Sequence, residues 1–218
     1  MKQSTQNYLK TIFSLAYPDV KSQVKPGDIS KKLDVTPAAV TDMLKKLEFD
    51  KYVVSEPYVG VSLTDKGLAI GCNMVRHHRL WEAFLSQVIG LPWDKVHDEA
   101  ERLEHACSDD LINRIEVYMG FPKHDPHGNP IPDKDGTIPE PLNDKPLSEL
   151  KVGDSGNISR VVDFDDDFLN YLRQQGVQLG KRIEVTEVLG FDNSVVCSVD
   201  GNSVTIGKKA SEQIFLVV

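Results

Sequence analysis

The chain has 218 residues, 40% hydrophobic and 27% charged, enough for one large domain or two to three small ones. No apolar run reaches the ~20 residues of a membrane span, and Met1-Lys2-Gln3-Ser4-Thr5 leads into a polar helix and not an apolar signal core, so a cytoplasmic protein is expected, without export and without a membrane partner. The net charge of −8 is uneven: residues 1–70 hold 10 Lys+Arg against 8 Asp+Glu, the remainder 15 against 25, a mildly basic head on an acidic body that tolerates nucleic-acid binding by the head alone.

Residues 4–16 carry apolar side chains at 8, 9, 12, 13, 15 and 16, a helical stripe with Ser4 or Thr5 as N-cap. A short helix from Ile29 to Leu33 follows, then a tight turn at Asp34-Val35, then a helix opened by Thr36 as N-cap and Pro37 at its first position. Tyr52-Val53-Val54 and Val61-Ser62-Leu63, separated by Glu56-Pro57-Tyr58-Val59-Gly60, read as a β-hairpin. Two short helices on a tight turn followed by a hairpin make a winged helix-turn-helix. In that reading Thr36, Pro37, Ala38, Ala39, Thr41 and Asp42 present the start of the recognition helix to a DNA groove, and Lys45, Lys46 and Lys51 lie where phosphates would pass. Each lysine alone is equally an ordinary solvated residue; the order of elements raises the set above that.

A long helix from Thr64-Asp65-Lys66-Gly67 to Gly90 carries His78 and Glu82 one turn apart. The next, opened by Asp94-Lys95-Val96, contains His97, Glu101, Glu104 and His105, which share a face within about 100° if the helix is continuous. Imidazole with several carboxylates suits a borderline divalent ion such as Mn²⁺, Fe²⁺ or Zn²⁺. A single His-x-x-x-Glu would be read as surface chemistry, but two on successive helices, one extended by Glu-His, favour ligation. A third helix follows Ser108-Asp109-Asp110, and the apolar surface of the three exceeds what so short a chain buries alone, which implies a homodimer. Residues 122–146, with seven prolines, read as an irregular linker; its His124 and His127 could bind a metal as a loop pair, but solvent exposure is the favoured expectation. From Leu147 short strand patterns, with a small helix over Asp163 to Gln175 and a hairpin turn at Asp200-Gly201-Asn202, suggest a small five-stranded barrel. Cys72, Cys107 and Cys197 are widely spaced and fit free thiols in a reducing compartment.

Several pieces together resemble one family along nearly the whole chain: Tyr8-Leu9-Lys10-Thr11-Ile12, Thr36-Pro37-Ala38-Ala39-Val40-Thr41, Leu63-Thr64-Asp65-Lys66-Gly67, His78-Arg79-Leu80-x-Glu82, Lys95-Val96-His97-Asp98-Glu99-Ala100, Glu104-His105 and Gly128-Asn129-Pro130-Ile131-Pro132. The chain is similar to metal-dependent transcriptional repressors of the diphtheria-toxin-repressor and manganese-transport-regulator type. The resemblance implies a mainly α fold with β: a winged helix-turn-helix DNA-binding domain (1–67), a helical metal-binding dimerisation domain (68–121), the Pro-rich linker (122–146) and an SH3-like small β-barrel (147–218). It implies a primary metal site of Asn7, Glu101, Glu104 and His105, and an ancillary site of His78, Glu82 and His97, with one of Asp165, Asp166 or Asp167 as a further ligand. Two Mn²⁺ or Fe²⁺ ions per subunit and double-stranded operator DNA are the implied cofactors and partner. The Glu101 position is Cys in iron-type members and Glu in manganese-type ones; the Asn7 position is usually Met or Asp. An anion site of the iron branch would fall on Arg79 and Asn129, but Asp125 stands where Ser is expected, and a carboxylate repels an anion.

With Asn7 in the DNA domain and Glu101, Glu104 and His105 beyond it, a shared ion would fix the DNA domains and hence the spacing of the recognition helices. A metallohydrolase is the competing class, since Glu and His can activate water; against it, the chain has no separate nucleophile or general-base motif. A metal store would leave the winged helix without a role.

Overall fold

The computed structural model describes residues 1–140, 142–162 and 166–218, with Asp166 described in its backbone alone. It comprises two compact units: Met1–His78 with Leu103–Asn113 and Pro132–Ile138, and Arg79–Arg102 with Arg114–Ile131 and Pro139–Val218.

The first unit opens with α1 (Gln3–Ala16), whose Tyr8, Leu9, Ile12, Phe13 and Ala16 are buried at helical spacing. Ser4 and Thr5 do not cap it: the cap position is Lys2 without a side-chain bond, and Thr5 is buried inside the first turns. Helix α2 (Pro26–Leu33) starts earlier than its apolar residues suggest, because Pro26 fits the first helical turn, which needs no N–H donor there. It ends at Asp34 in the left-handed conformation, φ +51°. The Ser30 hydroxyl donates to the Val35 carbonyl at 2.6 Å and closes the turn. Helix α3 (Pro37–Phe49) starts as expected, with Thr36 Oγ1 accepting from Ala39 N at 3.3 Å. Strands β1 (Val53–Glu56) and β2 (Gly60–Leu63) pair antiparallel from Val53↔Leu63 to Glu56↔Gly60, with Tyr58 fully exposed at the tip. The wing is tied down by a backbone bridge between Val24 and Val61. Thr64 Oγ1 accepts from Gly67 N at 3.1 Å and so caps α4 (Asp65–Gln87). A Cβ on Gly67 would lie 2.0 Å from the Tyr52 carbonyl oxygen, so only glycine lets this helix start against the wing. Two shorter helices complete the α elements before the sheet, α5 (Val96–Leu103) and α6 (Asp109–Tyr118), the latter capped by Ser108 Oγ on Leu111 N.

The second unit is built on a six-stranded antiparallel sheet in the order β3-β8-β4-β5-β6-β7. Its strands are β3 (Lys145–Pro146), β4 (Ser155–Val161), β5 (Arg182–Val188), β6 (Val195–Val199), β7 (Asn202–Ile206) and β8 (Ile214–Val217), with α7 (Asp166–Gln174) after β4 and α8 (Lys208–Ser211) before β8. The five strands expected from Leu147 onward are present as β4 to β8, and the sheet gains a sixth, β3, from the residues just before them. The extra strand, β3, is two residues long and ends the Pro-rich stretch, too short to leave a period of alternation in the sequence. The turn Asp200-Gly201 has φ of +49° and +82°, the geometry that joins twisted strands most directly. Leu169 and Leu172 of α7 pack with Ile158, Ile183, Cys197 and Leu216 in the core.

The Pro-rich stretch is more ordered than a linker reading implies. Residues 123–131 fold back on themselves through Ile131 N to Lys123 O (2.8 Å) and an isolated bridge between His124 and Pro130. This loop lies on β4: Val161 N donates to the His127 carbonyl at 2.9 Å, and a Cβ on Gly128 (φ +86°) would sit 2.1 Å from the Ser159 oxygen. His127 is therefore 0% exposed, which corrects its expected solvent exposure. Composition registered the prolines and missed the loop's own hydrogen bonds.

Candidate metal centres

The helix ending α5 stops at Leu103, so Glu104 and His105 lie in the turn after it and not on a continued helical face. That corrects the reading of residues 97–105 as one helix. Leaving the helix turns Glu104 inward. Its side chain is 0% exposed and meets residues of α1 and α4 within the first unit. Lys10 Nζ lies 2.8 and 3.0 Å from the two carboxylate oxygens, and His78 Nδ1 lies 2.6 Å from Oε2. His105 Nδ1 is 2.9 Å from Gln6 Oε1, and its Nε2 lies 3.3 Å from Glu104 Oε1. Asn7 Oδ1 is shut off from solvent and accepts no hydrogen bond. A buried acceptor without a donor costs free energy of order 1–3 kcal/mol, and a cation removes that cost. The Glu104 carboxylate and the His105 imidazole, 3.3 Å apart, are donors of the kind that fit a divalent ion. Gln6 and Lys10 were missed from sequence; both sit on a polar face of α1 with no signal of their own.

Glu101 lies in the last turn of α5 and is part-buried. Next to His78 in sequence, His77 is buried, with Nε2 3.0 Å from Asp109 Oδ1 and Nδ1 3.4 Å from Cys107 Sγ; burial lowers its pKa.

The second unit holds a separate cluster. Glu82, on α4, is buried and lies 3.1 Å from His97 Nδ1 through Oε1. Its Oε2 lies 3.6 Å from His127 Nδ1, and Asp125 Oδ1 is 3.9 Å from the same nitrogen. Glu82, Asp125 and His127 can each direct one ligand atom to within 4.8 Å of the others. The Trp93 carbonyl, 2.9 Å from His127 Nε2, fixes the proton there and turns Nδ1 to the carboxylates. Burial opposes a charged imidazolium, but Glu82 and then Asp125 outweigh it and push the His127 pKa up to about 9. Asp125 is itself raised, first by burial and then by Glu82. Its carboxylate accepts from His127 N, Asn129 N and Asn129 Nδ2 at 2.8–3.0 Å, and Arg79 Nε stands 3.8 Å away. Arg79 also donates to the Pro130 carbonyl. Asp125 thus supplies its own negative charge to Arg79 and Asn129, the residues on which an external anion was weighed.

Of the acidic residues carried over from the C-terminal region, Asp165 lies outside the described residues, Asp166 opens α7, and Asp167 is exposed. Thr36, Pro37, Ala38, Ala39, Thr41, Asp42, Lys45 and Lys46 are all exposed, while Val40, Leu44 and Leu47 bury the opposite face of α3. No helix among the described residues is long and apolar enough to cross a membrane.

Comparison with known proteins bears on the whole chain. Residues 1–61 match the iron dependent repressor N-terminal DNA binding domain, 64–133 the iron dependent repressor metal binding and dimerisation domain, and 145–218 the FeoA domain. The iron-dependent repressor IdeR of Mycobacterium tuberculosis is 32% identical over 206 residues, 88% of either chain. The HTH-type transcriptional regulator MntR of Bacillus pumilus is 38% identical over 118 residues, 54% of this chain and 80% of that one. A solved manganese-dependent transcriptional repressor in complex with manganese superposes with a TM-score of 0.87 at 36% identity, covering 98% of this chain and 99% of the other. The metallohydrolase alternative finds no support among these relatives. With these matches along nearly its whole length, the chain belongs to the diphtheria-toxin-repressor and manganese-transport-regulator family of metal-dependent transcriptional repressors.

Proposed function

We propose that the chain represses metal-homeostasis genes in the cytoplasm, binding operator DNA as a homodimer with two divalent ions per subunit, and that Mn²⁺ is preferred over Fe²⁺. The first site takes Asn7, Glu104 and His105, with Glu101 added on the resemblance. The ancillary site takes His78, Glu82 and His97, to which Asp125 and His127 are added here; one of Asp165, Asp166 and Asp167 remains its proposed acidic partner. The observation that carries the reading is the meeting of α1 with the turn after α5: Lys10 on Glu104 and Gln6 on His105.

When bound, the ion supplies a fixed cross-link between those two segments. The protein does the rest. Helix α1 packs against α2 and α3 through Leu9, Ile12, Ile29 and Val40, so holding α1 holds the recognition helix. Exposed Leu111, Val117, Tyr118 and Phe121, on and just after α6, support the dimer face. In a two-fold dimer the recognition helices would be matched to half-sites roughly 34–36 Å apart. Repression then follows metal because the DNA-competent arrangement binds the ion more tightly. The start of α3 supplies groove-facing Thr36, Pro37, Ala38, Ala39, Thr41 and Asp42, with Lys45 and Lys46 toward phosphate. Mn²⁺ is favoured because Glu101 offers a hard carboxylate, and the manganese-dependent neighbour supports it. Selection of bound fragments from genomic DNA, with Mn²⁺ and in chelator, tests the proposal. A sequence enriched only with metal is expected; enrichment of the same sequence in chelator, or of none in either condition, would refute it.

A further inference from the structure

The Glu104 carboxylate is paired with a side-chain cation. Lys10 is 14% exposed and Glu104 is 0% exposed, and the ammonium lies within hydrogen-bond distance of both carboxylate oxygens and, at 3.0 Å, of His78 Nδ1. An ammonium has three N–H donors and no acceptor, and both Glu104 oxygens lie within its reach at 2.8 and 3.0 Å. We propose that Lys10 is an internal competitor for the metal: its ammonium holds the Glu104 carboxylate until a divalent ion displaces it, and so sets the metal concentration at which the protein responds. The inference rests on the reading of Glu104 as a metal donor.

The argument is one of charge and space. A divalent ion on Glu104 needs at least one of the two oxygens that Lys10 covers. A dication and an ammonium on one buried carboxylate repel each other across a few ångströms in a poorly screened site. Lys10 must therefore swing away, toward the solvent that its partial exposure leaves open. If the pair is formed in nine molecules of ten, the apparent metal affinity falls about tenfold, since only the open fraction is competent. The pair also neutralises the charge of a carboxylate that has no exposure to water.

The test uses the full-length protein and Mn²⁺, with free ion read by electron paramagnetic resonance. E104Q identifies the binding step that belongs to Glu104. Lys10→Met and Lys10→Gln remove the charge; Lys10→Arg keeps it. The step lost in E104Q is expected to tighten about tenfold in Lys10→Met and Lys10→Gln and to stay within threefold of the parent in Lys10→Arg. Thermal midpoints in chelator are expected to fall for Met and Gln, because the pair is lost. Unchanged or weaker Mn²⁺ binding in both neutral variants would overturn the inference and make Lys10 a residue that orients Glu104. If E104Q loses no Mn²⁺ step at all, the assignment of Glu104 as a donor fails first, and the inference with it.

Discussion

Glu104→Gln is the sharpest perturbation of the first site, because it keeps the shape of the side chain and removes its charge. Lys10 and His78 both approach this carboxylate, which has no exposure to water. Breaking a buried pair from one side costs about 3–5 kcal/mol; the 14% exposure of Lys10 gives its ammonium some solvent and places the cost near the lower end, about 3 kcal/mol. For a chain of this size each kcal/mol moves the midpoint by roughly 2–4 °C, so a fall of about 6–12 °C is expected in chelator. Saturating metal adds a second difference. At about 100 times its dissociation constant, Mn²⁺ stabilises a single site by about 2.7 kcal/mol, a rise of roughly 5–11 °C that the variant should lose. Scanning calorimetry of both proteins, in chelator and in Mn²⁺, measures the two effects separately. A variant within about 2 °C of the parent in chelator, with an undiminished metal shift, would refute the assignment of Glu104 as the charge at the centre of this site.

Further outcomes follow from other sites. His127 has its folded pKa raised to about 9 from 6.5, so its charge contributes stability that is complete below pH 6.5 and lost as pH rises through 9. The contribution is about 3 kcal/mol, and the gap in thermal midpoint between the parent and His127→Gln should narrow over that window; a constant gap would show that packing alone holds the residue. Gly67→Ala should destabilise the first unit by at least about 2 kcal/mol, measured by denaturant unfolding, because the new methyl meets the Tyr52 carbonyl; an unchanged midpoint would show that α4 can shift away. Glu101→Cys should need more Mn²⁺ to bind DNA while its response to anaerobic Fe²⁺ is kept, since a soft thiolate replaces a hard carboxylate. An unchanged Mn²⁺ to Fe²⁺ ratio would show that this position does not decide the metal.

What the sequence disclosed was local. Thr36-Pro37 after Asp34-Val35 marked the recognition helix because cap and turn chemistry act over three or four residues. Asp200-Gly201 marked a hairpin for the same reason. The resemblance already set Glu82 with His97 and Glu104 with His105, but it did not bring Asp125 and His127 to Glu82. Helix α5 ends before Glu104, so helical periodicity could not place that carboxylate; the packing of α1 and α4 does. The Pro-rich composition around Asp125 and His127 imitated a linker, and only the long-range contact with β4 buries the loop. Lys10 looked like any solvated lysine, because its partner lies 94 residues away.

The central claim is that metal on the α1–Glu104–His105 site licenses DNA binding. Fluorescence anisotropy of a labelled fragment recovered by the genomic selection, titrated with the protein in chelator and again in saturating Mn²⁺ at fixed salt, measures it directly. Binding at least tenfold tighter with Mn²⁺ is expected for the parent, with no such gain in Glu104→Gln. Equal affinity of the parent in chelator and in Mn²⁺, or a full Mn²⁺ response in Glu104→Gln, would contradict it.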